Sequence, residues 1–265
     1  MLEELRRAVT VCGALVRASL LTAMQYRSDF FLESLTGILR TLAALAPILL
    51  VFDQVDAVGG WDLPDMILVA GLYFFMHAVL ASLVEPNLGE IVEAIRTGTL
   101  DFVLLKPADA QLLASIRRLQ PAPLWDLVGA VLLMGWSIAR MPAPQPLDVL
   151  AAVVLGASGL AAMYGLWLLA ICTSFHFVRV DNLRYLLWSI ADAGRWPLPI
   201  FARWVQWILV VVVPVGVITT FPALALRGTW SGALLLLGVA VGLGFVLVSR
   251  FAWQASLRSY TSASS

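Results

Sequence analysis

"PDMILVAGLYFFMHAVLASLV" (residues 64–84) is followed almost directly by "EIVEAIRTGTLDFVLLKP" (residues 90–107). The first stretch is apolar over roughly the 20 residues that a helix needs to cross the hydrocarbon of a bilayer. The second carries Glu90, Glu93, Arg96, Asp101 and the chain's only lysine, Lys106, before Pro107. Long apolar runs resume after it. A chain suited to lipid therefore interrupts itself with a charged amphipathic segment, and the position of that segment relative to the membrane decides how the rest is read.

Composition supports the lipid half of this contrast. Of the 265 residues 61% are hydrophobic and 13% charged, with ten tryptophans, and the mean hydropathy is +0.90. These values predict an all-α integral membrane protein. The net charge is zero, which gives no reason to expect a nucleic-acid partner. Cys12 and Cys172 are far apart in sequence and imply no disulfide framework.

Six spans are predicted, at roughly 30–52, 64–84, 121–139, 149–172, 204–221 and 231–251. The fourth either tilts or extends below the membrane, since apolar character runs on to Phe177. Basic residues set the orientation. With a cytosolic N-terminus, fourteen arginines and lysines fall inside and only Arg140 and Arg227 outside, with Arg40 within a span. The first outer loop, "DQVDAVGGWDLPD", has four aspartates and no base. Both termini are expected in the cytosol, and residues 90–107 with them. Trp61, Trp136 and Trp230 fall at outer edges and Trp125, Trp204 and Trp253 near inner ones, where amphipathic rings are favoured. Gly238 and Gly242 in the last span allow close helix contact.

Residues 5–22 place Leu5, Val9, Cys12, Val16 and Leu20 at helical intervals, with Arg6, Arg7, Thr10 and Arg17 on other faces. Such a helix lies in the headgroup plane or packs on a partner. Glu3, Glu4 and Arg17 argue against a cleaved secretory signal. Residues 181–194 form a second amphipathic helix between spans four and five. Pro197 and Pro199 turn the chain there, Pro214 kinks span five, and Pro222 is expected to end it. The kink is either helix punctuation or a bend in a transport pathway.

No catalytic constellation is present. Lys106 follows "LDFVLL" and no glycine-rich phosphate loop. His77 and His176 have no carboxylate or cysteine at ligand spacing, so no metal site is expected. No enzyme activity is expected of this chain, and energy for uphill work comes from another chain or an ion gradient. Ionisable groups within spans are few. Glu33 and Arg40 lie two turns apart on the first span, and Arg40 must face a cavity, a neighbouring helix or a partner subunit. Asp126, at the inner end of span three, reads as an interfacial cap or a proton relay. Glu33, Arg40 and Pro214 are the candidates for a translocation path.

Residues 88–96 put Leu88, Ile91, Val92 and Ile95 on one helical face and Glu90, Glu93 and Arg96 around the other. Gly98 can adopt the left-handed conformation that ends a helix. A short helix of this kind below the membrane suits docking into a groove on a soluble partner, with an ordinary solvated loop as the alternative.

"EAIRTGTLDFVLLKP" resembles the cytosolic segment of bacterial type 2 ABC-transporter permeases. In one subgroup a basic residue, Gly-Thr-Leu-Asp and a Lys/Arg-Pro end recur. "YRSDFF" (Tyr26 to Phe31), "WPLPIFARWVQWIL", "VVPVGVITTFPALAL" and the closing "RSYTSASS" are similar to that subgroup at matching places, so the likeness covers essentially the whole chain. The resemblance implies a single permease domain over 1–265, with an N-terminal amphipathic elbow helix (1–28), six transmembrane helices and a cytosolic coupling helix between spans two and three. The coupling loop would occupy 85–118 and a second cytosolic or interfacial loop 178–203. It also implies export powered by a separate cytosolic ATPase, which holds the ATP and magnesium, and a second permease subunit, identical or paralogous. This chain would carry no cofactor and would sit among lipids of the bacterial cytoplasmic membrane. Glu90, Glu93 and Arg96 would enter the ATPase groove, with Gly98, Thr99, Leu100 and Asp101 as the turn. Many members of the wider class carry re-entrant helices between spans five and six. Here only span five's kinked end could supply one. An ion-coupled carrier or channel using Glu33, Arg40 and Asp126, or a membrane scaffold, remain alternatives.

Overall fold

A computed structural model describes residues 27–105, 110–115, 119–121, 123–175 and 181–259. The helix expected at 5–22, Cys12, Lys106, Pro107, His176 and residues 260–265 lie outside the described residues, as does the side chain of Glu33. Within them the fold is all helical.

Helix α1 (Arg27–Phe52) is the first span. Helix α2 (Leu63–Val79) begins with a reciprocal cap: the Asp65 N–H donates to Asp62 Oδ1 at 3.0 Å and the Asp62 N–H to Asp65 Oδ2 at 3.4 Å. This satisfies two of the donors that a helix start leaves open. The helix does not stop at residue 84, where the span was expected to end. A single π turn (Leu80–Val84) passes straight into α3 (Glu85–Arg96), giving one continuous 34-residue helix.

Pro86 does not break it, for a specific reason. Proline has no N–H to return to the carbonyl four residues back. That carbonyl belongs to Ser82, and it accepts instead from the backbone N–H of Gln120 at 2.9 Å. The helix then ends as Gly98 predicts. Gly98 has φ 70°, its N–H donates to Ile95 O at 3.3 Å, and the Thr99 N–H donates to Ala94 O at 2.9 Å. This is the Schellman closure that requires a left-handed residue just past the helix.

Short helices α4 (Asp101–Leu104) and α5 (Ala110–Ser115) follow. Helix α6 (Leu124–Ile138) is apolar but only 15 residues long, and α7 (Pro146–Cys172) has 27. Helix α8 (Asp181–Ala191) and a 3₁₀ turn (Asp192–Arg195) occupy the expected second amphipathic segment.

The segment expected as span five is broken. Helix α9 (Arg203–Trp207) and a π turn (Ile208–Val212) form one arm. Helices α10 (Val215–Ile218) and α11 (Thr220–Leu226) form the other, bent 82° from the first at Val213-Pro214. Pro222 does not end this span. It sits in the first turn of α11, where a missing N–H costs little, and the helix runs on to Leu226. Helix α12 (Gly232–Ser259) closes the chain.

Helix α2 stands at the centre. Its apolar window is 72% buried, against 17% for α1 and for α12, whose outer faces are left for lipid. Glycines set the closest approaches. A Cβ on Gly242 would meet the Ser158 carbonyl oxygen at 2.7 Å, and one on Gly159 would come within 2.7 Å of the Ile218 backbone. The expected close contact of the last span is therefore made with α7.

Two tryptophan assignments change. Trp61 and Trp253 are buried in protein rather than placed against headgroups, while Trp204 is exposed. Trp61 is covered by the Arg227 guanidinium, 4.5 Å from its ring, and Arg140 lies 4.0 Å over Trp136. Both arginines assigned by sequence to the outer side are thus stacked on indoles, a favourable cation–π arrangement.

Candidate functional site: charged groups gathered around the second span

Helices α1, α2 and α6 each bring one ionisable side chain to a common point. Arg40 of α1 donates through Nη2 to Asp126 Oδ2 of α6. His77 of α2 lies with Nδ1 3.1 Å from the same oxygen. The Asp126 side chain is 1% exposed and that of Arg40 46%. A carboxylate removed from water to this extent needs partners, and two arrive from different helices. This corrects the reading of Asp126 as an interfacial cap. His77, set aside as a metal ligand, has a carboxylate neighbour 49 positions away. Sequence spacing could not show it.

Gly37 leaves the space for this pair, since a Cβ there would sit 3.0 Å from Asp126 Oδ1. An open cavity of about 440 Å³ adjoins the cluster, lined by Arg40, His77, Glu85, Gln120 and Pro123 among others. His77 is also held from its other side, with its ring 4.7 Å from that of Trp188.

One turn earlier on α2, Tyr73 donates its hydroxyl to Asp192 Oδ1, which also accepts from Arg195 Nη2 at 2.8 Å. The Arg195 guanidinium lies 5.1 Å over the Tyr73 ring. Sequence analysis missed this trio. The i, i+4 spacing of Tyr73 and His77 on an otherwise apolar span was the available signal.

At the far end of the same helix lies the segment read from sequence as a docking element. Leu88, Ile91 and Leu100 are buried, which anchors the apolar face. Arg96 donates to Glu93 through Nε at 3.0 Å and Nη2 at 2.9 Å, and both side chains are exposed. Thr97 Oγ1 donates to the Glu93 carbonyl at 2.8 Å, fixing the turn that carries Gly98, Thr99 and Asp101. Glu90 and Asp101 are also engaged in polar contacts. Of the path candidates, Arg40 joins the cluster above, Pro214 sits at the break of span five, and Glu33 lies outside the described side chains.

Among the described residues, four helices are long and apolar enough to cross a membrane, or five if the bent pair is one span. With ionisable groups paired inside the bundle, this defines a multi-pass membrane protein. Residues 38–264 match the profile of the ABC-2 family transporter proteins, and the chain belongs to that family. Permeases of this family are typically non-catalytic and generally work with a partner ATPase subunit. No curated protein and no solved structure matches the chain.

Proposed function

We propose that the chain is the transmembrane subunit of an ATP-driven exporter in the bacterial inner membrane, forming the translocation path and drawing energy from a separate cytosolic ATPase. The observation that carries this reading is the exposed Glu93–Arg96 end of the helix that also forms the second span. A partner pressing there acts directly on the centre of the bundle. Glu90, Glu93 and Arg96 form the contact, and Gly98, Thr99, Leu100 and Asp101 the turn that holds it. ATP and magnesium belong to the ATPase. In this reading the four long helices, the broken pair and α6 make six spans, residues 1–28 form the elbow helix, and both termini are cytosolic. The whole chain acts as one permease unit beside a second, identical or paralogous, subunit.

Copurification with the co-encoded ATPase, followed by Glu93→Ala with Arg96→Glu, tests the proposal. The double variant is expected to insert normally and lose ATP-driven transport. Transport that survives unaltered overturns the assignment. The Arg40–Asp126–His77 cluster favours a second reading, an ion-coupled carrier. In that case transport proceeds without the ATPase and is abolished by Asp126→Asn.

A further inference from the structure

The helix that carries the exposed Glu93–Arg96 end also touches the element next to the break in span five. Glu93 and Tyr73 lie twenty positions apart on that helix, about 30 Å at the rise of 1.5 Å per residue. Tyr73 is buried, and its hydroxyl is spent on Asp192. Asp192 and Arg195 bracket Gly194, which is pressed against the other side of the break. A Cβ on Gly194 would lie 2.3 Å from Val215 Cγ2 and 3.5 Å from both Tyr73 Cδ2 and Thr219 Cγ2. Three residues beyond the trio the chain is tied again to the buried arm. The Leu198 N–H donates to Thr220 Oγ1 at 3.1 Å, and a Cβ on Gly216 would meet Leu198 Cδ1 at 2.7 Å. The segment 192–198 is therefore clamped between the second span and residues 215–220, with no slack for a methyl group.

We infer that Tyr73 is a positioning residue, the grip by which the long second-span helix moves the hinge of span five through Asp192 and Arg195. The inference rests on the proposed docking of an ATPase at Glu93–Arg96, and adds where the displacement is delivered. Packing alone would hold the segment against a push. A hydrogen bond to a charged carboxylate resists a pull as well, because its loss leaves a buried hydroxyl without a partner. The π turn at Leu80–Val84 lies between the two ends, so bending there would be the competing outlet for the same motion.

Hydrogen exchange of the full-length permease in nanodiscs tests this in two arms, alone and with its co-encoded ATPase. In the permease alone, Tyr73→Phe keeps the ring and removes the hydroxyl. It is expected to raise exchange of the amides of 208–220 by about tenfold, the scale of one hydrogen bond to a charged group. Exchange where α7 meets α12 stays unchanged. Asp192→Asn retains an acceptor for Tyr73 and should give a smaller rise, which also serves if Tyr73→Phe fails to insert. Unaltered exchange at 208–220 in both variants overturns the inference.

With the ATPase, ATP and vanadate should alter exchange at both 85–100 and 208–220 in the unmodified protein. In Tyr73→Phe the first response should persist and the second disappear. A purely structural role would move both or neither, and that result also overturns the inference. If 85–100 never responds, the docking assignment has failed, and the ATPase-free arm still judges the grip.

Discussion

Arg40 and Asp126 stand 86 positions apart and meet as an ion pair in which the carboxylate is buried and the guanidinium half exposed. The asymmetry fixes which loss is worse. Arg40→Ala leaves the buried Asp126 carboxylate with His77 beside it and no guanidinium, and should destabilise the protein by about 3 kcal/mol. Asp126→Asn leaves a guanidinium that can turn into the adjoining cavity, so its cost should be smaller. The double variant should be milder than Arg40→Ala alone. Thermal unfolding of the four proteins in one detergent reads the order, and equal losses for the two single variants would contradict it.

Glycine contacts give a second prediction. Gly242→Ala forces a methyl group to 2.7 Å from the Ser158 carbonyl, and Gly159→Ala forces one against the Ile218 backbone. Backbone cannot step aside as a side-chain tip can, so each should cost about 2 kcal/mol or more. Gly244→Ala, with nothing within 4 Å, is the control and should be neutral or slightly stabilising. Unfolding midpoints of the three variants decide the matter.

Arg227 makes the third. It pairs with buried Asp65 through Nε at 3.1 Å, donates to Gly60 O at 3.2 Å and covers Trp61. Arg227→Ala should lower stability by about 2 kcal/mol or more, since it removes the partner of a buried carboxylate. Arg227→Lys should recover less than half of that, because a lysine cannot span three partners with one planar fork. Full recovery by lysine would show that charge alone matters there.

Pro214 supports the fourth. Val213 leaves the helical region (φ −121°, ψ 90°) one residue before the proline, and Val215 to Ala223 beyond it are buried. Packing therefore holds the direction of the inner arm, and the proline narrows the range of bends. Spin labels at the exposed positions Trp204 and Thr229 should report in Pro214→Ala the same mean separation with a wider distribution. A shift of the mean toward a straight span would assign the 82° bend to the proline itself.

Hydropathy made most of the spans legible, because α1, α7 and α12 are set by length and apolarity alone. The continuity of α2 with α3 was not legible. Glu85 and Pro86 read as a boundary, and the donor that repairs the break, Gln120, is a backbone group whose position no local pattern reveals. Gly98 was legible because a helix end needs a left-handed residue whatever surrounds it. The need of Arg40 for a partner could be read from its depth, but the identity of the partner is tertiary. Tyr73 was passed over because a tyrosine in a span is ordinary until a carboxylate is found against it.

The bond from Gln120 to the Ser82 carbonyl has a consequence for the order in which the protein is made. A buried peptide carbonyl left without a donor is costly. The second span can enter the membrane as soon as it is synthesised, yet the ladder gap opposite Pro86 stays unfilled until residue 120 has left the ribosome and come back against it. The second span therefore matures only when the third arrives. A chain truncated between residues 105 and 119 should hold the first two spans in an unfinished state, open to membrane quality control.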